Sequence, residues 1–152
     1  MVNELNVLAK VGLQPTLSGL HYAFQNQKHL YFVIDFCPGG ELFYYLKHSG
    51  RFGKKAVKFY TANVLLALKY LHSHNIIYRD LKPENIMVDQ NGYLKLIDFG
   101  FSKIIDKPDD IDKRVCGTPE YIPPEVLKGE GYTIKSEWWA FGCLIYELLV
   151  GI

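Results

Sequence analysis

No apolar run in this sequence is long enough to cross a bilayer. The longest, Trp138 to Ile152, spans about 15 residues and contains Glu147, whereas a membrane helix needs roughly 20. It reads instead as a buried helix, and no membrane insertion is expected. The N-terminus shows no charged-then-apolar leader of the secretory kind. Cysteine is scarce: Cys37, Cys116 and Cys143 are an odd number without metal-type spacing. That argues against a zinc site and for reduced thiols in the cytoplasm or nucleus. Charge of one sign is scarce too, since 17 Lys and Arg against 16 Asp and Glu leave a net charge of +1. Without a clustered basic field, neither nucleic acid nor a membrane surface is an expected partner. Repeats, low-complexity tracts and linker-like stretches are also absent. What is present is 152 residues, 49% hydrophobic and 22% charged, enough for one domain around a single core.

Local patterns divide the chain into short elements. Leu5, Val7, Leu8 and Val11 recur on a helical period, which predicts a helix over 2–11 ended by Gly12 and Pro15. His29 to Phe36 is rich in β-branched and aromatic residues and predicts a buried strand, closed by the turn Pro38-Gly39-Gly40. A short helix fits 41–48. A longer one fits 54–72, with Val57, Tyr60, Val64, Leu65, Leu68 and Leu71 as its apolar stripe. Two short strands, 86–88 and 94–97, flank Asp89-Gln90-Asn91-Gly92, where Asn-Gly signals a hairpin because both residues tolerate positive φ. Residues 101–124 read as an ordered loop. Ser136 is the expected N-cap of a last helix running to about Val150. The expected class is α+β.

The polar residues around that hairpin are hard to explain structurally. Tyr78-Arg79-Asp80-Leu81-Lys82-Pro83-Glu84-Asn85 precedes it, and Asp98-Phe99-Gly100 follows it. A hairpin holds its two ends together, so Asn85 and Asp98 would lie close. Two oxygen donors there suit Mg²⁺, which takes one or two carboxylates plus phosphate oxygens and water. Asp80 on the adjoining loop could accept a proton from a substrate hydroxyl, and Lys82 could reach a transferring phosphoryl group. Such an assembly performs phosphoryl transfer by positioning and charge neutralisation. The bland alternative is a polar hairpin with surface Asp and Asn, and a lone Asp-Phe-Gly would not decide against it. The ordered set does.

On these motifs the chain resembles a eukaryotic serine/threonine protein kinase catalytic domain over nearly its whole length. It is most similar to the subgroup of the cyclic-nucleotide-dependent kinases and protein kinases B and C. Tyr78 in place of His, Gly117-Thr118-Pro119-Glu120-Tyr121 and Trp138-Trp139 carry that narrower likeness. The resemblance implies a partial kinase fold: residues 1–36 as the end of a small lobe with its helix and hinge strand, and 37–152 as the first half of a helical large lobe. It implies ATP and Mg²⁺ as cofactors and protein substrates with Ser or Thr acceptors, a preference supported by Lys82 and Thr118. Asp80 becomes the catalytic base, Lys82 the phosphate-contacting lysine, and Asn85 and Asp98 the Mg²⁺ ligands. Ile34 takes the gatekeeper position. The Asp35 carbonyl and the Cys37 backbone would bond adenine, and Met87 would floor the pocket. Glu41 and Glu84 match carboxylates that hold ribose or arginines before the target residue, so a basic substrate motif is expected. Glu4 matches the glutamate that pairs with the nucleotide-binding lysine. Leu8, Leu20, Tyr78 and Phe99 match side chains stacked across the lobes of active kinases.

Some positions depart from that pattern. No Gly-rich loop or lysine-bearing strand precedes Glu4, and the later helices with an arginine partner for Glu125 do not follow. These 152 residues alone are therefore expected to show negligible turnover, and to be poorly soluble or only partly folded because apolar stripes, above all on 138–150, stay exposed. Arg114 stands where a threonine is usually phosphorylated, so a phosphate cannot pair with Arg79 from there; Asp106, Asp109, Asp110 and Asp112 are nearby sources of negative charge. Glu137 replaces a shorter aspartate that braces the catalytic loop, and Pro123 replaces an alanine. The competing expectation is a catalytically inactive remnant acting as a binding or regulatory module.

Overall fold

A computed structural model describes residues 2–151 of the chain. The first helix, α1 (Val2–Val11), has the bounds that its periodicity predicts. It buries Val7, Leu8 and Val11, and Gly12 in the left-handed region (φ 63°) ends it. The next strand, β1 (Leu20–Gln25), was not foreseen; it pairs antiparallel with β2 (Leu30–Ile34), the strand expected over 29–36. That strand is not buried: Val33 is 42% and Ile34 45% exposed. Apolar content suggested a core strand, but in a two-stranded sheet both faces stay largely open.

After the turn come β3 (Gly40–Glu41) and α2 (Leu42–Ser49), which buries Leu42 and Leu46. Gly39 permits a close approach here. Its N–H donates to the Val88 carbonyl at 3.0 Å, and an added Cβ would lie 2.7 Å from that oxygen. The central helix, α3 (Lys54–Ser73), buries Val57, Val64, Leu68 and Leu71 as its stripe predicts. Leu65 is 37% exposed instead, and Ala67 and Asn63 complete the buried face. Asn63 is tolerated there because its Nδ2 donates to the Phe59 carbonyl at 2.8 Å.

Beyond α3 the chain forms β4 (Ile76–Ile77), then β5 (Ile86–Val88) and β6 (Leu94–Leu96), and then β7 (Lys103–Ile104). The predicted hairpin is β5–β6, with Ile86 opposite Leu96 and Val88 opposite Leu94, and β3 adds to its other edge. Its turn uses one left-handed residue, Gly92 (φ 84°), rather than the two expected. The Asp89 side chain does the rest, its Oδ1 accepting from the Asn91 and Tyr93 N–H groups. The presumed loop after Gly100 is more structured than expected: β7 pairs antiparallel with β4, and a short helix α4 (Pro124–Leu127) follows.

The last helix, α5 (Glu137–Val150), packs on α3. Ser136 precedes it but makes no side-chain cap to it. Its backbone is already helical, and its Oγ accepts from the Thr133 N–H at 3.2 Å, closing the preceding turn. Trp139, Tyr146 and Val150 are exposed on α5, while Leu144 and Leu148 join α1, α3 and the β5–β6 hairpin in one apolar core. The fold is a mixed α+β arrangement, with a small part of α1 and β1–β2 and a mostly helical part around the buried hairpin.

Candidate active site

The buried strand β4 delivers the chain into a loop in which Tyr78, Arg79, Asp80 and Asn85 are all buried. Tyr78 is fully buried, its ring edge-on to Phe99 (5.7 Å between centroids) and its hydroxyl donating to the Ile97 carbonyl. Burial, and then the charges of Asp80, Asp98 and Glu137, push its phenol well above the ordinary range. Leu8 and Phe99 are buried and Leu20 half-buried in the same cluster. Arg79 (φ 68°) and Asp98 (φ 54°) occupy the left-handed region that non-glycine residues avoid. Such strain persists only where surroundings impose it, and it concentrates at functional sites.

Glu137 does the imposing on the Arg79 side. Its Oε1 accepts from the backbone N–H groups of Tyr78 and Arg79, each at 2.7 Å, while Oε2 bonds His72 Nε2 at 2.6 Å. Glutamate in place of aspartate therefore still braces the loop, and the longer side chain also reaches α3 through His72. Sequence reasoning missed His72, which looked like one more residue near a helix end.

Asp80 is 4% exposed. Its Oδ2 accepts from Asn85 Nδ2 at 2.7 Å and lies 3.2 Å from Lys82 Nζ. Its Oδ1 accepts from the Thr118 hydroxyl at 2.9 Å, and Lys82 Nζ donates to that same oxygen of Thr118 at 2.9 Å. Asp80, Lys82, Asn85 and Thr118 thus form one hydrogen-bonded unit. Gly117 makes this contact possible, because a Cβ there would fall 2.4 Å from the Arg79 carbonyl.

Asn85 Nδ2 is committed to Asp80, and among the described residues its Oδ1 has no donor. The Ile97 N–H donates to the Asn85 carbonyl at 3.0 Å, which holds the start of β5 beside the approach to Asp98. Asp98 Oδ1 accepts from the Gly100 N–H at 2.9 Å, and among the described residues Oδ2 has no donor. One amide oxygen and one carboxylate oxygen at the open end of the hairpin fit Mg²⁺ held jointly with phosphates. No cluster of three His, Cys, Asp or Glu among the described residues forms a complete protein cage for a metal.

The predicted nucleotide edge is the segment from Ile34, where β2 ends, to Cys37. Ile34 is 45% exposed, Cys37 is buried and Met87 half-buried, opposite Glu41 in the β3–β5 register. Neither the Asp35 carbonyl nor the Cys37 N–H has a backbone partner among the described residues. The Asp35 side chain has a structural task that the sequence did not reveal. It accepts from the Gly19 N–H (3.0 Å) and Lys95 Nζ (2.9 Å) and bonds His21 Nε2 (2.7 Å). Burial alone would raise its carboxyl, but these hydrogen bonds and the Lys95 charge outweigh it and bring it to about 2. Glu4, by contrast, forms no ion pair among the described residues.

Beside Thr118 opens an apolar-walled groove of about 770 Å³, lined by Phe43, Trp138 and Tyr146. Glu84, Glu120 and Glu147 share it. Burial, then the charges of Glu84 and Glu120, push the Glu147 carboxyl up. The sequence pointed to Glu84 only; Glu147 was hidden within an apolar helix.

A buried carboxylate tied to a lysine, an asparagine and a threonine, beside a second carboxylate at a hairpin mouth, is a set of groups able to position a hydroxyl and a phosphoryl group. Comparison with known families agrees: residues 1–152 match the protein kinase domain, and the chain belongs to that family. Similar proteins include the serine/threonine-protein kinase Sgk2 of Rattus norvegicus, 50% identical over 149 residues, covering 98% of this chain and 41% of that protein. Sgk1 of Danio rerio is 47% identical over 152 residues, covering 100% and 35%. YPK1 of Saccharomyces cerevisiae is 49% identical over 149 residues, covering 98% and 22%. The chain thus spans well under half the length of these relatives.

Proposed function

We propose that this chain supplies the catalytic and metal-holding part of a serine/threonine protein kinase that transfers the γ-phosphoryl of Mg-ATP to protein hydroxyls. The observation that carries this reading is the Asp80–Asn85–Lys82–Thr118 unit. Asp80 accepts the proton as the substrate oxygen bonds to phosphorus and the bond to the ADP oxygen breaks. Lys82 neutralises charge on the phosphoryl group, and Thr118 holds Asp80 Oδ1 in place. Asn85 Oδ1 and Asp98 would hold Mg²⁺, which would neutralise charge on the phosphate oxygens. The Asp35 carbonyl and Cys37 N–H receive adenine, with Ile34 and Met87 against its faces and Glu41 near the ribose. Residues 1–36 and 37–152 act as parts of two lobes around that nucleotide.

A preference for basic residues before the target is supported by the groove beside Thr118. Three carboxylates there repel one another, and an arginine relieves that repulsion with bidentate hydrogen bonds. Protein rather than nucleic acid is the proposed partner, supported by the net charge of +1. Among the described residues no helix is long and apolar enough to cross a membrane. The proposed setting is the cytoplasm or nucleus, supported by three free cysteines. The test compares serine peptides with and without arginines before the target. Glu84→Gln combined with Glu147→Gln is expected to raise KM for the arginine peptide roughly tenfold with kcat little changed. Equal KM values for both peptides in the unaltered protein would refute the preference.

The competing reading is a catalytically inactive binding or regulatory module of the same fold. Single-turnover assays separate the two, because a binding module incorporates no phosphate into any peptide.

A further inference from the structure

The four aspartates between Phe101 and Thr118 have very different surroundings. Asp106 and Asp109 are exposed, and Asp110 accepts through Oδ2 from the backbone N–H groups of Asp106 and Lys107, as a turn residue does. Asp112 is buried, with 7% of its surface exposed. Its Oδ2 meets Arg79 Nη1 at 2.8 Å and Lys103 Nζ at 2.9 Å, and its Oδ1 accepts from the Arg114 N–H at 2.9 Å. Its backbone exchanges both hydrogen bonds with Tyr132, at 2.9 and 2.7 Å.

Arg79 needs such a partner. The side chain is fully buried, Nε donates to the Phe101 carbonyl at 2.7 Å, and Nη2 has no acceptor among the described residues. Asp112 is the one carboxylate paired with it there. An uncompensated buried guanidinium is strongly unfavourable, so the Arg79–Asp112 contact ties the position of the segment to that of the loop. Two further contacts carry the tie to the reacting group: Gly117 rests on the Arg79 carbonyl, and Thr118 reaches Asp80.

We propose that Asp112 is a built-in anion that fixes residues 101–118 on the catalytic loop, so that Thr118 is placed on Asp80 without an added phosphate. Asp112 is then a positioning residue acting through Arg79. Its consequence for transfer rests on the kinase reading given above. A phosphate would bring up to two charges and three acceptor oxygens to two cations. The carboxylate brings one charge, but it is permanent, and Lys103 and the Arg114 N–H complete its coordination. The order of the segment is then set by the sequence rather than by a modifying enzyme. Arg114, where the phosphorylated residue of similar kinases stands, is left exposed.

The test uses the full chain, phosphatase-treated and shown by mass spectrometry to carry no phosphate. Amide exchange of residues 101–118 is measured beside single-turnover transfer to an arginine-containing serine peptide, for wild type, Asp112→Asn, Asp112→Glu and Lys103→Met. The expected result is a protected segment in the phosphate-free wild type. Asp112→Asn is expected to lose protection roughly tenfold or more in 101–118 while α3 keeps its own, with transfer falling in parallel and KM for ATP nearly fixed. Asp112→Glu restores part of both. Lys103→Met, which leaves Arg79 paired, is expected to lose about two- to threefold, and it decides the matter should Asp112→Asn fail to fold. A wild-type segment that is unprotected until phosphate is added would overturn the proposal, as would unchanged protection in Asp112→Asn or, if that variant does not fold, in Lys103→Met. Absence of transfer in the wild type would count against the kinase reading instead, and the exchange results still decide the role of Asp112.

Discussion

Two antiparallel hairpins in this chain are built alike and mounted differently. In each, an Asx side chain closes the turn: Asn26 Oδ1 accepts from the Lys28 and His29 N–H groups, and Asp89 Oδ1 from those of Asn91 and Tyr93. Along β1 five of six residues are exposed, whereas β5 and β6 each bury their first and last residues. The difference lies in what surrounds them. The β5–β6 hairpin is packed on α3 and edged by β3, so its mouth can present Asn85 and Asp98 with little freedom. Preorganisation of a site comes from that mounting, not from hairpin formation itself.

The comparison breaks most visibly beneath the buried hairpin. Glu137→Ala strips the acceptor from two buried N–H groups and frees His72, and it is expected to destabilise by about 3–5 kcal/mol in chemical denaturation. Within the hairpins, Ile86→Ala should cost about 2–4 kcal/mol through lost burial and a residual cavity. Phe24→Ala on β1, 54% exposed, should stay within about 1 kcal/mol. Equal costs at the two positions would show the hairpins to be mounted alike.

Acid probes the join between them, since Asp35 bonds His21 of β1 and Lys95 of β6. Its carboxyl lies at about 2 in the folded chain against 3.8 ordinarily, and that of Asp112 does the same, held down against burial by Lys103, the Arg114 N–H and Arg79. A depressed carboxylate stabilises above its unfolded value and loses that contribution as pH falls toward its folded value. Stability should therefore hold to about pH 4 and fall between 4 and 2, by up to about 2 kcal/mol per group. Asp35→Asn should flatten part of that slope. The smallest effect is expected at the exposed turn, where Asn26→Ala should cost about 0.5–1 kcal/mol and leave transfer unchanged.

The same contrast explains what could be read from the sequence. Asp80, Lys82, Asn85 and Asp98 were legible because their chemistry lies in contiguous motifs joined by one short hairpin. α1 and α3 were legible from period, since one face of each meets the core. β1 was not, because a strand exposed on both faces has no alternation to read. Ser136 looked like a cap because residue type was visible and backbone angle was not. Leu65 was assigned to the core by a stripe one position too wide. Asp35–Lys95, His72–Glu137 and Arg79–Asp112 join residues 60, 65 and 33 positions apart. No local pattern encodes such pairings, and for Asp112 only the local excess of aspartate gave a hint.

The central claim is that Asp80, held by Asn85, Lys82 and Thr118, is the group that takes the substrate proton. Single-turnover transfer from Mg-ATP to an arginine-containing serine peptide, with enzyme in excess, tests it most directly. The account predicts phosphate on the serine hydroxyl and a fall of roughly 10²–10⁴-fold in rate for Asp80→Asn, with thermal stability little changed. Transfer that survives that substitution, or no transfer by the unaltered protein, would contradict it.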